Sequence, residues 1–229
     1  MKHVIIFLYS ILMMVFMDEI LIGQNTDWAN LNRYKDENLK LNIASDDESR
    51  IVFMGNSITE GWLITDPVFF EGKPYINRGI SGQTTPQMLV RFRQDVVNLK
   101  PRIVVILAGT NDIAGNTGPS TLEMIEDNIA SMVEIAKSNG IKVILCSVLP
   151  AYDYPWKQGL NPAEKIPALN KWIKDYSNKN EIIYVDFYTP MADERNGLKK
   201  DYSEDGVHPN LAGYKLMEPI LESAIAKVY

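Results

Sequence analysis

The feature that most constrains this chain is a series of five short apolar runs separated by longer amphipathic stretches. The runs are residues 51–54, 75–76, 103–107, 143–148 and 182–185. Four of them are dense in Val and Ile without strict alternation, the pattern of strands buried on both faces. Helical patterns fill the gaps at residues 85–99, 120–138 and 163–176, and a last one covers 211–228. The clearest places Leu122, Ile125, Ile129, Met132, Val133 and Ile135 on one stripe, with Gly140 to close it. Residues 28–41 precede the first run, with Trp28, Leu31, Tyr34, Leu39 and Leu41 at roughly helical spacing. Strand-helix alternation of this kind predicts a parallel sheet with helices on both faces. No internal repeat or linker interrupts it, so one domain is expected.

In open α/β sheets, ligands bind at the carboxyl ends of strands. Gly55, Gly109 and Pro150 follow apolar runs directly or within two residues. Ser57 and Asn111 are therefore expected on one edge of the sheet, although 54 residues separate them. The loop Asp205-Gly206-Val207-His208 precedes the last helical pattern, which can carry it to the same edge. A serine is a poor nucleophile until a base takes its proton, and histidine is the usual base near neutral pH. The chain has two histidines, and His3 lies in an apparent leader, which leaves His208. A tight turn can bring Asp205 to one ring nitrogen and leave the other facing Ser57. Pro209 then starts the last helix at a position proline tolerates. Plainer readings compete. Ser57 fits a helix N-cap, His208 a packed histidine, Asn111 an Asx turn, Gly79 a turn glycine and Asp112 a helix start.

Four segments carry a family likeness in order: Gly55-Asn56-Ser57-Ile58-Thr59, Asn77-Arg78-Gly79-Ile80-Ser81-Gly82, Gly109-Thr110-Asn111-Asp112 and Asp205-Gly206-Val207-His208-Pro209. Together they resemble the SGNH (GDSL-type) hydrolases. Asn56 stands where the family's name-giving motif has Asp. The resemblance implies a flavodoxin-like, three-layer α/β/α sandwich around a five-stranded parallel sheet. It implies a serine esterase in which Ser57 attacks, His208 is the base and Asp205 orients it. The oxyanion donors it implies are the backbone N–H groups of Ser57 and Gly79 and the side-chain amide of Asn111. No cofactor or metal is required. The family spans carbohydrate acetylesterases, lysophospholipases, thioesterases and arylesterases. Small size and the lack of a lid insertion point to short acyl groups, acetyl first, on a glycan or small-molecule alcohol. The alternative is a lysophospholipase or a lipid esterase like platelet-activating-factor acetylhydrolase. A more distant one is a non-catalytic glycan-binding module. Trp62, Tyr152, Tyr154 and Trp156 are candidates to stack on a sugar, with local packing as the competing reading.

The net charge is −6 and no run of Lys or Arg could follow a phosphate backbone, which argues against nucleic-acid binding. No phosphate-loop motif occurs. A single cysteine, Cys146, excludes an internal disulfide and a cysteine metal site. Lys2 followed by an apolar stretch over residues 4–17 fits a signal peptide, with an imperfect cleavage region because of Leu21. Residues 1–24 are thus expected to be a leader and 25–229 a single domain. The mature protein is expected in the periplasm or outside the cell, with no stable membrane insertion. An uncleaved N-terminal anchor is the competing reading. No feature bears on self-association.

Overall fold

The computed structural model describes residues 27–44 and 49–228. The expected leader lies outside the described residues. Five strands, β1 (Ile51–Gly55), β2 (Tyr75–Gly79), β3 (Ile103–Leu107), β4 (Lys142–Cys146) and β5 (Ile183–Val185), form one parallel sheet in the order β2-β1-β3-β4-β5. Eight α-helices accompany them among the described residues: α1 (Lys35–Ala44), α2 (Ser57–Thr65), α3 (Thr85–Asp95), α4 (Thr110–Ile113), α5 (Leu122–Ser138), α6 (Pro162–Lys179), α7 (Tyr188–Met191) and α8 (Leu211–Val228).

Successive strand residues point to opposite faces, which splits the core in two. On one face Val52, Met54, Val104 and Ile106 pack with Met88 and Phe92 of α3, Ile129 and Met132 of α5, and Leu169 of α6. On the other, Ile51, Phe53, Ile103 and Val105 pack with Ile58 and Trp62 of α2 and with Tyr214, Met217 and Leu221 of α8. This is the three-layer α/β/α sandwich expected from the alternation. Cys146 ends β4 fully enclosed, and burial pushes its thiol well above the usual pKa. Among the described residues, no helix is long and apolar enough to cross a membrane.

Two expectations need correction. Residues 28–41 are not one helix. The Asp27 carboxylate accepts the N–H groups of Leu31 (2.7 Å) and Asn32 (2.8 Å), Asn30 takes a left-handed φ of 54°, and α1 begins only at Lys35. Strand β2 runs three residues beyond the apolar pair 75–76. Asn77 and Arg78 are polar yet buried, because Asn77 Nδ2 donates to the Thr59 carbonyl at 2.6 Å and Arg78 Nε donates to Asn38 Oδ1 at 3.0 Å. A hydropathy pattern misses a strand whose polar side chains are paired inside.

The strand order places the chemistry. The connection after β1 leads to β2 on one side, and the next crosses over β1 to β3 on the other. A crevice opens beyond the carboxyl ends of β1 and β3, where neighbouring connections diverge. Ser57 lies two residues past β1, and Asn111 four past β3.

Candidate active site

Ser57 is the first residue of α2. Asn56 caps that helix, its side-chain oxygen accepting the Ile58 N–H at 3.1 Å. Asn retains the acceptor that Asp would offer there. The capped turn fixes Ser57 where the positive end of the helix dipole meets the crevice.

The loop before α8 brings the other two groups. His208 Nε2 lies 2.9 Å from Ser57 Oγ, and His208 Nδ1 lies 2.6 Å from Asp205 Oδ2. With the carboxylate at Nδ1, the ring proton sits there and Nε2 is left to accept from the serine. Asp205 Oδ1 accepts three further bonds, from the backbone N–H groups of Val207 (2.9 Å) and His208 (2.8 Å) and from Ser203 Oγ (3.1 Å). Partial burial alone would raise the Asp205 pKa. The His208 side chain, then the His208 and Val207 amides, outweigh it and hold the carboxyl at about 2. Ser203 also accepts the Gly206 N–H at 2.9 Å, which closes the turn. The sequence reading missed Ser203, since a serine two residues before an aspartate carries no signal of its own.

The loop after β2 corrects one expectation. The Gly79 N–H donates to Asn77 Oδ1 at 2.9 Å and is enclosed, so it is not free to meet a substrate oxygen. Gly79 serves closeness instead. A Cβ there would meet the backbone N of Glu60 at 2.2 Å. Gly82 is exposed at the tip of this loop, next to the exposed Ser81; its φ is 78°, and its N–H finds no acceptor within the described protein. The two glycines share one segment, and only the tertiary approach separates their roles.

The rest of the loop is tightly held. Ile80 N–H donates to the Gly55 carbonyl at 3.2 Å. Glu60 Oε2 accepts from Ser81 N (2.9 Å) and Ser81 Oγ (2.5 Å), and Glu60 Oε1 accepts from Arg33 Nη2 at 3.2 Å. Burial raises the Glu60 pKa, but the Ser81 and Arg33 bonds exceed that effect and hold it below the usual value. The fully buried Arg91 donates through Nε to Gln83 Oε1 (2.5 Å), through Nη2 to the Gly55 carbonyl (3.0 Å) and through Nη1 to Asp95 (3.1 Å).

Asn111 lies in α4, buried, with one Nδ2 proton donated to the Gln83 carbonyl at 3.0 Å. Its second amide proton is uncommitted. Asp112 turns inward and accepts from Thr85 N (3.0 Å) and Thr85 Oγ1 (2.6 Å). Burial pushes its pKa up to about 6 against the pull of these bonds. It ties α4 to the start of α3, away from the crevice.

The four aromatic candidates divide. Trp62 is 2% exposed and stacks between Phe69 (4.8 Å) and Tyr214 (5.4 Å), so it is a core residue and not a sugar platform. Tyr154 is 0% exposed, and its hydroxyl donates to the Thr110 carbonyl at 2.9 Å. It supports Trp156, whose ring lies 5.3 Å away. Trp156 is 47% exposed and 6.0 Å from the His208 ring. Tyr152 is 54% exposed beneath the Arg195 guanidinium and lines a cavity of about 280 Å³ that reaches Asp205. A larger cavity of about 470 Å³, between Lys137, Lys142 and Lys227, lies at the opposite edge of the sheet, far from these groups. Among the described residues, no group of three or more His, Cys, Asp or Glu side chains could hold a metal ion.

The fold is a three-layer sandwich around a parallel sheet, and at its carboxyl edge a serine, a histidine and an aspartate stand in line, as in a serine hydrolase. Residues 53–216 match the GDSL-like lipase/acylhydrolase family, and the chain belongs to that family. A crystal structure of a GDSL-like lipase from Bacteroides thetaiotaomicron is similar at 50% identity and a TM-score of 0.86, covering 89% of this chain and 100% of that one. An acetylxylan esterase from Xylanibacter ruminicola is 27% identical over 79% of this chain and 44% of its own length. Esterase TesA of Pseudomonas aeruginosa is 27% identical over 73% of this chain and 79% of its own. The chain spans about half the length of the acetylxylan esterase and of an uncharacterized lipoprotein from Bacillus subtilis, matched over 53% of its length.

Proposed function

We propose that this protein is an exported serine esterase that removes short acyl groups, acetyl first, from carbohydrate. The observation that carries the reading is the line from Ser57 Oγ through His208 to Asp205, with its 2.9 and 2.6 Å spacings. Ser57 Oγ attacks the ester carbonyl carbon while His208 Nε2 takes its proton. Asp205, held ionised, stabilises the imidazolium that forms. The carbonyl electrons move to oxygen, where the Ser57 and Gly82 N–H groups and the Asn111 amide receive the negative charge. Collapse expels the alcohol, which takes the proton from His208. Water, activated by the same histidine, then cleaves the acyl-serine and releases the carboxylic acid. No cofactor enters these steps.

Carbohydrate specificity is supported by two exposed rings, Trp156 beside His208 and Tyr152 in the cavity that reaches Asp205. The acetylxylan esterase likeness favours the same class. The Lys2-led apolar stretch supports export. Three measurements test the reading. Ser57→Ala is expected to fold and to lose activity by on the order of a millionfold in kcat; near-normal turnover by the folded variant would sink the mechanism. On p-nitrophenyl acetate, butyrate and octanoate, kcat/KM is expected to fall with length. A steady rise to octanoate would favour a lipid esterase. Failure of a fluorophosphonate to label Ser57 would favour a glycan-binding module.

A further inference from the structure

The loop that carries Gly82 has no regular structure of its own, yet its N–H must stand at a fixed distance from Ser57 to receive charge. Glu60 is the side chain that spans the two. It sits three residues after Ser57, in the first turn of the same helix, so its backbone moves with the nucleophile. Its carboxylate reaches across to Ser81, the residue before Gly82, and takes both the backbone N–H and the hydroxyl on one oxygen. An ionised carboxylate only accepts, with room for about four bonds, so three donors can converge on it.

A negative charge near a developing oxyanion is an electrostatic cost unless it is neutralised. Arg33 meets that need on the outer oxygen at 3.2 Å. Arg33 lies in the turn segment before α1, outside the 53–216 region that matches the family. The same segment grips the loop twice more. The Ala29 carbonyl accepts from Gln83 Nε2 at 2.8 Å, and the Tyr34 hydroxyl donates to the Gly79 carbonyl.

We propose that Glu60, neutralised by Arg33, is a positioning residue that sets the Gly82 N–H against Ser57, and that the segment 27–34 is part of this brace. The inference rests on the esterase reading above. A positioning role differs from a structural one in what it perturbs. Loosening the loop weakens the hold on the transition state more than on the ester, whose carbonyl oxygen carries little charge.

The test uses the full chain with Glu60→Ala, Glu60→Gln, Ser81→Ala and Arg33→Ala. Three readouts are taken: kcat and KM on p-nitrophenyl acetate, inhibition by a small trifluoromethyl ketone that adds to the serine as a tetrahedral oxyanion, and thermal melting. Glu60→Ala is expected to lower kcat on the order of ten- to a hundredfold, with KM changed by less than about threefold. Affinity for the ketone should fall by the same factor as kcat/KM. Glu60→Gln should be intermediate, since its amide oxygen still accepts one Ser81 donor. Ser81→Ala and Arg33→Ala should shift the same parameters less, and they decide the matter if Glu60→Ala does not fold. Ser81→Ala added to Glu60→Ala should cost nothing more. A loss confined to KM, or a lower melting temperature with kcat and ketone affinity intact, overturns the proposal. Ser57→Ala in the same assay separates the two readings. If it stays active, the esterase mechanism fails. If it is dead while all the brace variants turn over normally, only the brace fails.

Discussion

Replacing Gly79 by Ala tests the reassignment of that glycine most sharply. The φ of Gly79 is not in the left-handed region, so Ala does not strain the backbone there. The conflict is with the neighbour. The added Cβ would lie 2.2 Å from Glu60 N, and 2.8 Å from both Asn56 O and Glu60 Cα, where ordinary contact begins at 3.4 Å. All three are backbone atoms of the nucleophile turn, and no rotamer change relieves them. The start of α2 and the end of β2 must part by about 1.2 Å, the shortfall at the tightest contact. Overpacking of this kind costs about 1–3 kcal/mol, or a few degrees of melting temperature for a chain of this size. The catalytic cost should be larger. The parting moves Ser57 away from the loop that bears Gly82, and a misplacement of about 1 Å is worth about a hundredfold in rate. The assay is kcat for p-nitrophenyl acetate beside a urea melt. If Gly79 mattered only as an N–H donor, Ala would keep that donor and activity would survive. A kcat within about twofold of the parent, with an unchanged urea midpoint, would refute the close-approach argument.

Three further outcomes follow from the geometry. Asn111→Ala should lower kcat by about a hundred- to a thousandfold with a smaller change in KM; an effect mainly on KM would make Asn111 a substrate-binding residue instead. Trp156→Ala should raise KM for an acetylated xylo-oligosaccharide while leaving p-nitrophenyl acetate nearly untouched, and equal effects on both would contradict a sugar platform. Asp112 predicts a pH dependence of stability. Burial raises its folded pKa to about 6 from an ordinary 3.8, so its contribution is complete below about pH 4 and is lost as pH rises through 6. Relative to the parent, Asp112→Asn should therefore gain on the order of 3 kcal/mol between pH 4 and pH 7, measured by urea unfolding at both. Parallel curves would show that Asp112 does not titrate in this range.

The sheet was legible because Val- and Ile-rich runs have few other uses, and their spacing left room for one helix each. The meeting of Ser57, Asp205 and His208 was legible for a related reason: each lies at a strand end or before a helix, and such positions share an edge. What the residues could not reveal was direction. Trp62 reads like Trp156 in sequence, yet one faces Phe69 and Tyr214 in the core and the other faces solvent beside His208. Gly79 and Gly82 read alike in sequence, yet the first is buried against the backbone of Glu60 and the second is exposed with a left-handed φ. Asn77 and Arg78 look like the end of a strand and are its continuation. Burial of a polar group depends on a partner far away in sequence, such as Thr59 for Asn77, and no local pattern encodes that partner.

Cys146 has a use apart from catalysis. It is the chain's one thiol, set at the end of β4 against the α8 layer and shut off from solvent. A modifying reagent reaches it only when the centre of the sheet opens. Its labelling rate in the purified protein is thus a clock for opening of the sheet, with one reporting site and no engineered label. Under oxidising conditions the chain has no second thiol for internal exchange, so any mixed disulfide marks molecules whose core has opened.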